Sequence, residues 1–280
     1  MSRFLLITLF LCTLSACSNM LFFPVKEHFL DPAEHGVKYQ DIYIETENNQ
    51  NLHGWLLPVD GEAKATVVFF HGNGENISTH IGAVYWLPKI GYRVLLVDYR
   101  GYGKSDGQAT LDGSITDIIQ TIKFTSESYR DDKPLIVMGQ SIGASMSIYA
   151  VANSTVKDKI AGLVLVAPFS DYQQITQEAL SKSWLTWLFQ YPLSWTINND
   201  YKPADFIKSV YPIPVYFIHG TSDRIISNEH SKKLFDLARQ PKKLYLIDGG
   251  HNDIANTEKY RSTVTGILEE IVSNQKSISE

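Results

Sequence analysis

The chain has 280 residues, 44% of them hydrophobic and 20% charged, and its 25 lysines and arginines against 30 aspartates and glutamates leave a net charge of −5. That length allows one large domain or two small ones around a sizeable core, with the composition of a globular protein. Nothing in this mildly acidic balance points to the basic stripe that a nucleic-acid binder needs.

The first residues differ from the rest. Arg3 supplies a positive start, residues 4–14 are mostly apolar, and Leu14-Ser15-Ala16-Cys17 follows. The apolar run is too short to span a bilayer, which takes about 20 residues. A positive start, a short apolar centre and a small-residue exit describe a secretory signal. Its end resembles the lipobox of bacterial lipoproteins, in which cleavage falls just before a lipidated cysteine. The resemblance implies a signal peptide over 1–16, a lipid on Cys17, and a tether and lead-in over 17–40. It also implies anchoring in the bacterial cell envelope, at the periplasmic side of the outer membrane where there are two membranes, since Ser18 is not an aspartate. An ordinary signal peptide with a chance cysteine is the alternative. Cys12 and Cys17 are the only cysteines, so the domain that follows has neither disulfide nor free thiol. Residues 20–23 are apolar and either lie near the bilayer or pack on the domain.

From residue 41 to about 275, short apolar runs alternate with longer periodic ones. Runs at 41–45, 52–57, 66–70, 93–98, 135–139, 162–167, 215–219 and 243–247 predict eight strands. The later ones are almost wholly apolar, as in strands of a parallel sheet covered on both faces. The first two carry more polar residues and suit an antiparallel edge. Helices are predicted at 114–124, where Ile115, Ile118, Ile119 and Ile122 share a face, and at 142–152, 228–238 and 257–272. The alternation gives an α/β domain, a mostly parallel sheet flanked by helices, with ligand sites at the carboxyl ends of the strands. Residues 169–212 break the rhythm, and a connection of that length is rarely plain loop. They predict short helices forming a cap. Its aromatics, Trp184, Trp187, Phe189, Tyr191 and Trp195, either wall an apolar pocket or sit in the core. For any single tryptophan the core is the expected place.

The polar motifs fall at strand ends. After 66–70 comes His71-Gly72-Asn73-Gly74, whose glycines let backbone approach a ligand closely. It suits a loop that donates the Asn73 N–H to an oxyanion. After 93–98 comes Asp98-Tyr99-Arg100-Gly101-Tyr102-Gly103-Lys104-Ser105, read as a scaffold loop beside the pocket. Gly139-Gln140-Ser141-Ile142-Gly143 then joins an apolar strand to a small-residue helix. A bare G-x-S-x-G arises by chance, but this context is the one a nucleophile elbow requires. Side chains at the two glycines would collide within the sharp turn. The serine oxygen projects clear of it, with the Ile142 N–H as a second oxyanion donor.

A serine hydroxyl needs a base, and His251, delivered by Asp248-Gly249-Gly250 after 243–247, is the best placed. An acid must hold the imidazole in one tautomer. Asp223 in His219-Gly220-Thr221-Ser222-Asp223 fits best, with Asp171 as the rival. Asp253 is too near His251 in sequence to be its partner. His219 is expected to order a loop and His230 to lie on a surface helix, while His28, His35, His53 and His80 have no motif around them. No metal-ligand spacing, phosphate loop or dinucleotide fingerprint appears.

Taken together, these motifs resemble one branch of the α/β-hydrolase superfamily. The branch includes the Bem46-like proteins, the ABHD depalmitoylase relatives and the serine aminopeptidase-like (S33) domains. The resemblance runs over about residues 21–272. It implies the α/β-hydrolase fold, a triad of Ser141, Asp223 and His251, an oxyanion hole at Asn73 and Ile142, and neither cofactor nor metal. The expected activity is a serine hydrolase acting on a small acyl ester, thioester or lipid-like substrate. A serine peptidase or amidase, or a non-catalytic binding lipoprotein on the same scaffold, are the alternatives.

Overall fold

In the computed structural model, residues 21–46, 49–129 and 133–279 are described. The signal-peptide and Cys17 readings lie outside them. The apolar runs become strands β1 Gln40–Glu45, β2 Asn51–Leu57, β3 Ala65–Phe70, β4 Tyr92–Val97, β5 Leu135–Gln140, β6 Ile160–Val166, β7 Val215–Gly220 and β8 Lys242–Ile247. They form one sheet in the order β1-β2-β4-β3-β5-β6-β7-β8. β2 is antiparallel to both β1 and β4, and every pairing from β4 to β8 is parallel.

Burial follows that order. Every residue of β3, β5, β6 and β7 is buried, whereas the edge strands β1 and β8 expose much of their length. β2 is more buried than its polar residues suggest, because it is not the edge: all but its first residue are buried between β1 and β4. There the Trp55 indole N–H donates to Asp41 Oδ1 at 3.2 Å.

The side-chain period of two sorts each strand between two cores. Val68, Phe70, Val137, Leu165 and Phe217 face one, where α2 Leu111–Ser128 brings Ile115, Ile118 and Ile122, and α3 Ile142–Ala152 brings Met146 and Ile148. Val67, Phe69, Met138, Val166 and Ile218 face the other, against α1 Ile77–His80 and the C-terminal α8 Glu258–Ser279. Each fully buried side chain of this size is worth about 1.5–3 kcal/mol.

Helix α2 begins three residues earlier than the isoleucine spacing predicts. The Thr110 side chain caps it by accepting the Gly113 N–H at 3.1 Å. The cap segment does break into short helices, α4 Tyr172–Ser181, α5 Gln190–Ser194 and α6 Pro203–Phe206, before α7 Glu229–Leu237 follows β7. Helix α1 and the 3₁₀ turns between β3 and β4 had no sequence signature, since four residues cannot display a helical period.

Candidate active site

β5 runs directly through Ser141 into α3. Ser141 has φ 55° and ψ −120°, a backbone region that L-residues rarely occupy. Such a conformation costs about 1–3 kcal/mol and persists only where the surroundings impose it. They do so here. The Ser141 N–H donates to Val166 O of β6 at 2.8 Å. A β-carbon on Gly139 would fall 2.7 Å from the Ala144 nitrogen, and one on Gly143 would run into the carbonyl oxygens of Phe70 and His71. The glycines therefore permit the turn and bring the loop after β3 against the start of α3.

The loops after β7 and β8 deliver the other groups. His251 Nε2 lies 3.1 Å from Ser141 Oγ, and His251 Nδ1 lies 2.7 Å from Asp223 Oδ2. The two loops brace each other: the Ser222 N–H donates to Gly249 O at 3.1 Å, and the Thr221 hydroxyl to Asp248 Oδ1 at 3.0 Å. Asp253 serves the loop, with Oδ1 accepting the Gly250 N–H at 2.8 Å.

Asp223 is held on every side. Its Oδ1 accepts the Ile225 and Ile226 N–H groups at 2.8 and 2.9 Å. Burial works to raise its pKa. Hydrogen bonds from His219 and His251, the nearby imidazole charge and the Ile226 N–H outweigh burial, leaving the carboxyl well below the usual carboxylate range. The His219 contact was missed by sequence reasoning. Its Nε2–H donates to Ile226 O at 3.0 Å, as a loop-ordering role requires, and also lies 3.3 Å from Asp223 Oδ2. The separation of four residues was the only signal for it.

The rival acid is engaged elsewhere. Asp171 caps α4 by accepting the Gln174 N–H at 3.0 Å, and pairs with Lys202 Nζ at 3.2 Å. His230 corrects the surface-helix expectation. It is buried, with Nδ1 accepting the Ser170 N–H and Nε2 facing Glu178 Oε2 at 3.1 Å, so it fastens α7 to the start of the cap.

Of the proposed oxyanion donors, Ile142 directly follows the serine, and Asn73 follows Gly72, on which a β-carbon would fall 3.5 Å from that of Ser141. Neither the Asn73 nor the Ile142 N–H meets a protein acceptor among the described residues, and Ile142 opens α3, where first-turn N–H groups have no intrahelical partner. The Asn73 side chain points the other way. Its Oδ1 accepts from Phe23 N–H, Gly74 N–H and the Tyr102 hydroxyl, and its Nδ2 donates to Leu21 O at 2.5 Å. The side chain therefore ties the N-terminal lead-in to the oxyanion loop.

Behind that loop lies a buried histidine. His71 Nδ1–H donates to Gly72 O at 2.7 Å, and burial pushes its pKa down to about 4, against a pull upward from Asp98. The folded pKa lies below the unfolded value of about 6.5, so the unfolded chain takes up the proton first. His71 alone should therefore withdraw about 3 kcal/mol of stability as the pH drops from about 6.5 to 4, with His80, whose pKa burial also lowers, adding to the fall. Urea unfolding across that range checks it: His71→Asn, which keeps a donor near Nδ1, should flatten the slope by that amount.

His28, His53 and Asp98 bring ligand-type atoms within 4.8 Å of one another. The cluster joins residues far apart in sequence, which is why no motif marked it. His28 Nε2 meets Asp98 Oδ2 at 3.2 Å, and His53 Nε2 is taken by Asp41 Oδ1 at 2.6 Å. A β-carbon on Gly103 would collide with Asp98 Oδ2, so backbone crowds the same oxygen. These contacts fit a buried brace between the lead-in, β2 and the loop after β4. A surface cavity of about 1230 Å³ lies at the opposite end of the sheet, near Thr66, Leu135 and Ile160, and includes no member of the triad.

The family model described as serine aminopeptidase, S33 matches residues 61–210. The uncharacterized protein YfhR of Escherichia coli O157:H7 is 33% identical over 222 residues, covering 76% of this chain and 74% of that protein. The chain belongs to the serine aminopeptidase S33 family of α/β hydrolases. It is also similar to protein bem46 of Schizosaccharomyces pombe, 25% identical over 88% of this chain and 81% of that one. The solved esterase Pf2001 of Pyrococcus furiosus shares the fold, with a TM-score of 0.72 at 24% identity over 89% of this chain and 99% of its own. Family and fold make the protein a hydrolase. The matched stretch contains Asn73, Ser141 and Ile142 but ends before Asp223 and His251, so those two rest on the geometry given above.

Proposed function

We propose that the protein hydrolyses carboxylic esters or thioesters through an acyl-enzyme on Ser141. The observation that carries this reading is the unbroken chain from Ser141 Oγ through His251 to Asp223, at 3.1 and 2.7 Å. With Asp223 ionised, the proton of His251 stays on Nδ1 and the Nε2 lone pair faces the serine. Nε2 takes the hydroxyl proton as Oγ attacks the carbonyl carbon. The Asn73 and Ile142 N–H groups receive the oxyanion, and the N-terminus of α3 adds favourable field. His251 then gives its proton to the leaving alcohol or thiol. In the second half it takes a proton from water as the water oxygen attacks the acyl carbon, and returns that proton to Ser141 Oγ as the C–Oγ bond breaks and the acid product leaves.

An apolar acyl part is favoured by a lipid on Cys17, which would tether the enzyme to the envelope membrane. The family description favours amide cleavage as the second reading. A chain-length series of p-nitrophenyl esters, run beside acyl thioesters and aminoacyl amides, separates the two. Esters and thioesters should turn over while aminoacyl amides are left uncleaved, and cleavage of the amides at a comparable kcat/KM would favour the peptidase. Incorporation of labelled fatty acid into the wild type and its loss in Cys17→Ser tests the tether.

A further inference from the structure

Three tryptophans expected in the core stand in solvent. Trp184, Trp187 and Trp195 are 84%, 55% and 68% exposed, and Leu185, Leu188 and Phe189 are exposed among them. Residues 183–199 contain no charged side chain. Two hydroxyls of this stretch are taken up by the protein instead. Thr186 Oγ1 donates to Leu180 O at 2.6 Å, and Ser194, fully buried, accepts from Gln177 Nε2 at 3.0 Å. The indoles thus stand outside while these two hydroxyls bond within the cap. Soluble monomers rarely display a continuous apolar face of this kind unless it meets something.

The course of the chain indicates what it meets. Lys182 Nζ donates to Arg224 O and Ile225 O at 2.8 and 3.0 Å, which ties the start of the stretch to the loop carrying Asp223. At the carboxyl end of β3, the lead-in is fastened by Asn73 at Leu21 and Phe23, and Phe23 is exposed. Cys17 is four residues before Leu21, at most about 14 Å of extended chain. A lipid there would hold the bilayer at the same carboxyl-end side of the sheet that bears the tryptophans. Aromatic and aliphatic side chains on an uncharged face are the groups that settle at the headgroup–acyl boundary.

We propose that residues 184–195 dock on the lipid bilayer, so that Ser141 opens onto the membrane surface and takes amphiphilic esters resident in it. The orientation rests on the lipid at Cys17, and the choice of esters on the hydrolase reading. The docking itself rests on the exposed face.

The tryptophan content supplies a direct test. The other two, Trp55 and Trp86, are 2% and 9% exposed, so quenching by bromine on lipid acyl chains reports the cap. Full-length protein is bound to phosphatidylethanolamine–phosphatidylglycerol vesicles with brominated or plain chains. Emission should fall by about half on the brominated vesicles, in the wild type and in Ser141→Ala alike. The triple variant W184S/W187S/W195S should hydrolyse a vesicle-borne ester about tenfold more slowly, while its rate on a short soluble ester is kept. Vesicle-bound wild type with unquenched emission would overturn the docking. So would failure to bind vesicles, or a dimer that the triple variant splits while the wild type's emission stays unquenched. Quenching that survives in Cys17→Ser would retain the docking and remove the tether as its cause. Quenching without any Ser141-dependent hydrolysis would retain the docking and remove the hydrolase reading.

Discussion

Replacing Ser141 by alanine should lower kcat by about 10⁶ on any ester the wild type accepts, with KM changed little. The side chain contributes one oxygen, and among the described residues no other nucleophile contacts His251. Alanine keeps the elbow, because the backbone there is fixed by the Val166 hydrogen bond and the flanking glycines. Activity that remains after the substitution would come from the oxyanion donors and binding alone. The same position offers a control on the elbow itself. Ser141→Gly is equally inactive but adopts φ 55° without the β-carbon penalty, so its unfolding free energy should exceed that of Ser141→Ala by about 1 kcal/mol. Equal stabilities would mean that the turn is unstrained.

Asp223→Asn should lower kcat by about 10⁴, or about 5.5 kcal/mol of barrier, with the fold intact. The structure fixes which way the amide must lie. Oδ1 accepts two backbone N–H groups, from Ile225 and Ile226, so the amide oxygen must take that place. The NH₂ group then lands where Oδ2 was, against His251 Nδ1 and the donating His219 Nε2–H. It can only donate to His251. That locks the imidazole in the tautomer with its proton on Nε2, facing the serine, where it cannot act as base. It also sets two donors against each other at His219. A loss below about tenfold would show that the acid is another group, with Asp171 the first to examine.

Much of this site was legible in the sequence, for identifiable reasons. Gly139 and Gly143 are demanded by local sterics around one turn, so the pentapeptide carries its own geometry. Ser141, Asp223 and His251 each follow an apolar strand, and a parallel sheet sends all such positions to one end. What the sequence withheld depends on contacts between distant segments. His230 read as a surface residue because its own helix is polar, yet Ser170 and Glu178 close over it. The cap tryptophans read as core because bulky aromatics usually are, and nothing local reveals that the hydroxyls of Thr186 and Ser194 bond within the cap. The meeting of His28, His53 and Asp98 and the second contact of His219 on Asp223 were hidden for the same reason. Period-two burial tells which face of the sheet a side chain joins, not which loop covers it.

The central claim is that Ser141 is an activated nucleophile. A fluorophosphonate probe tests it most directly, because the probe bonds only to a serine whose proton a base can take. Full-length protein should gain one probe per chain, on the peptide containing Ser141, and Ser141→Ala should gain none. Absence of labelling in the wild type, or equal labelling of the alanine variant, would contradict the account.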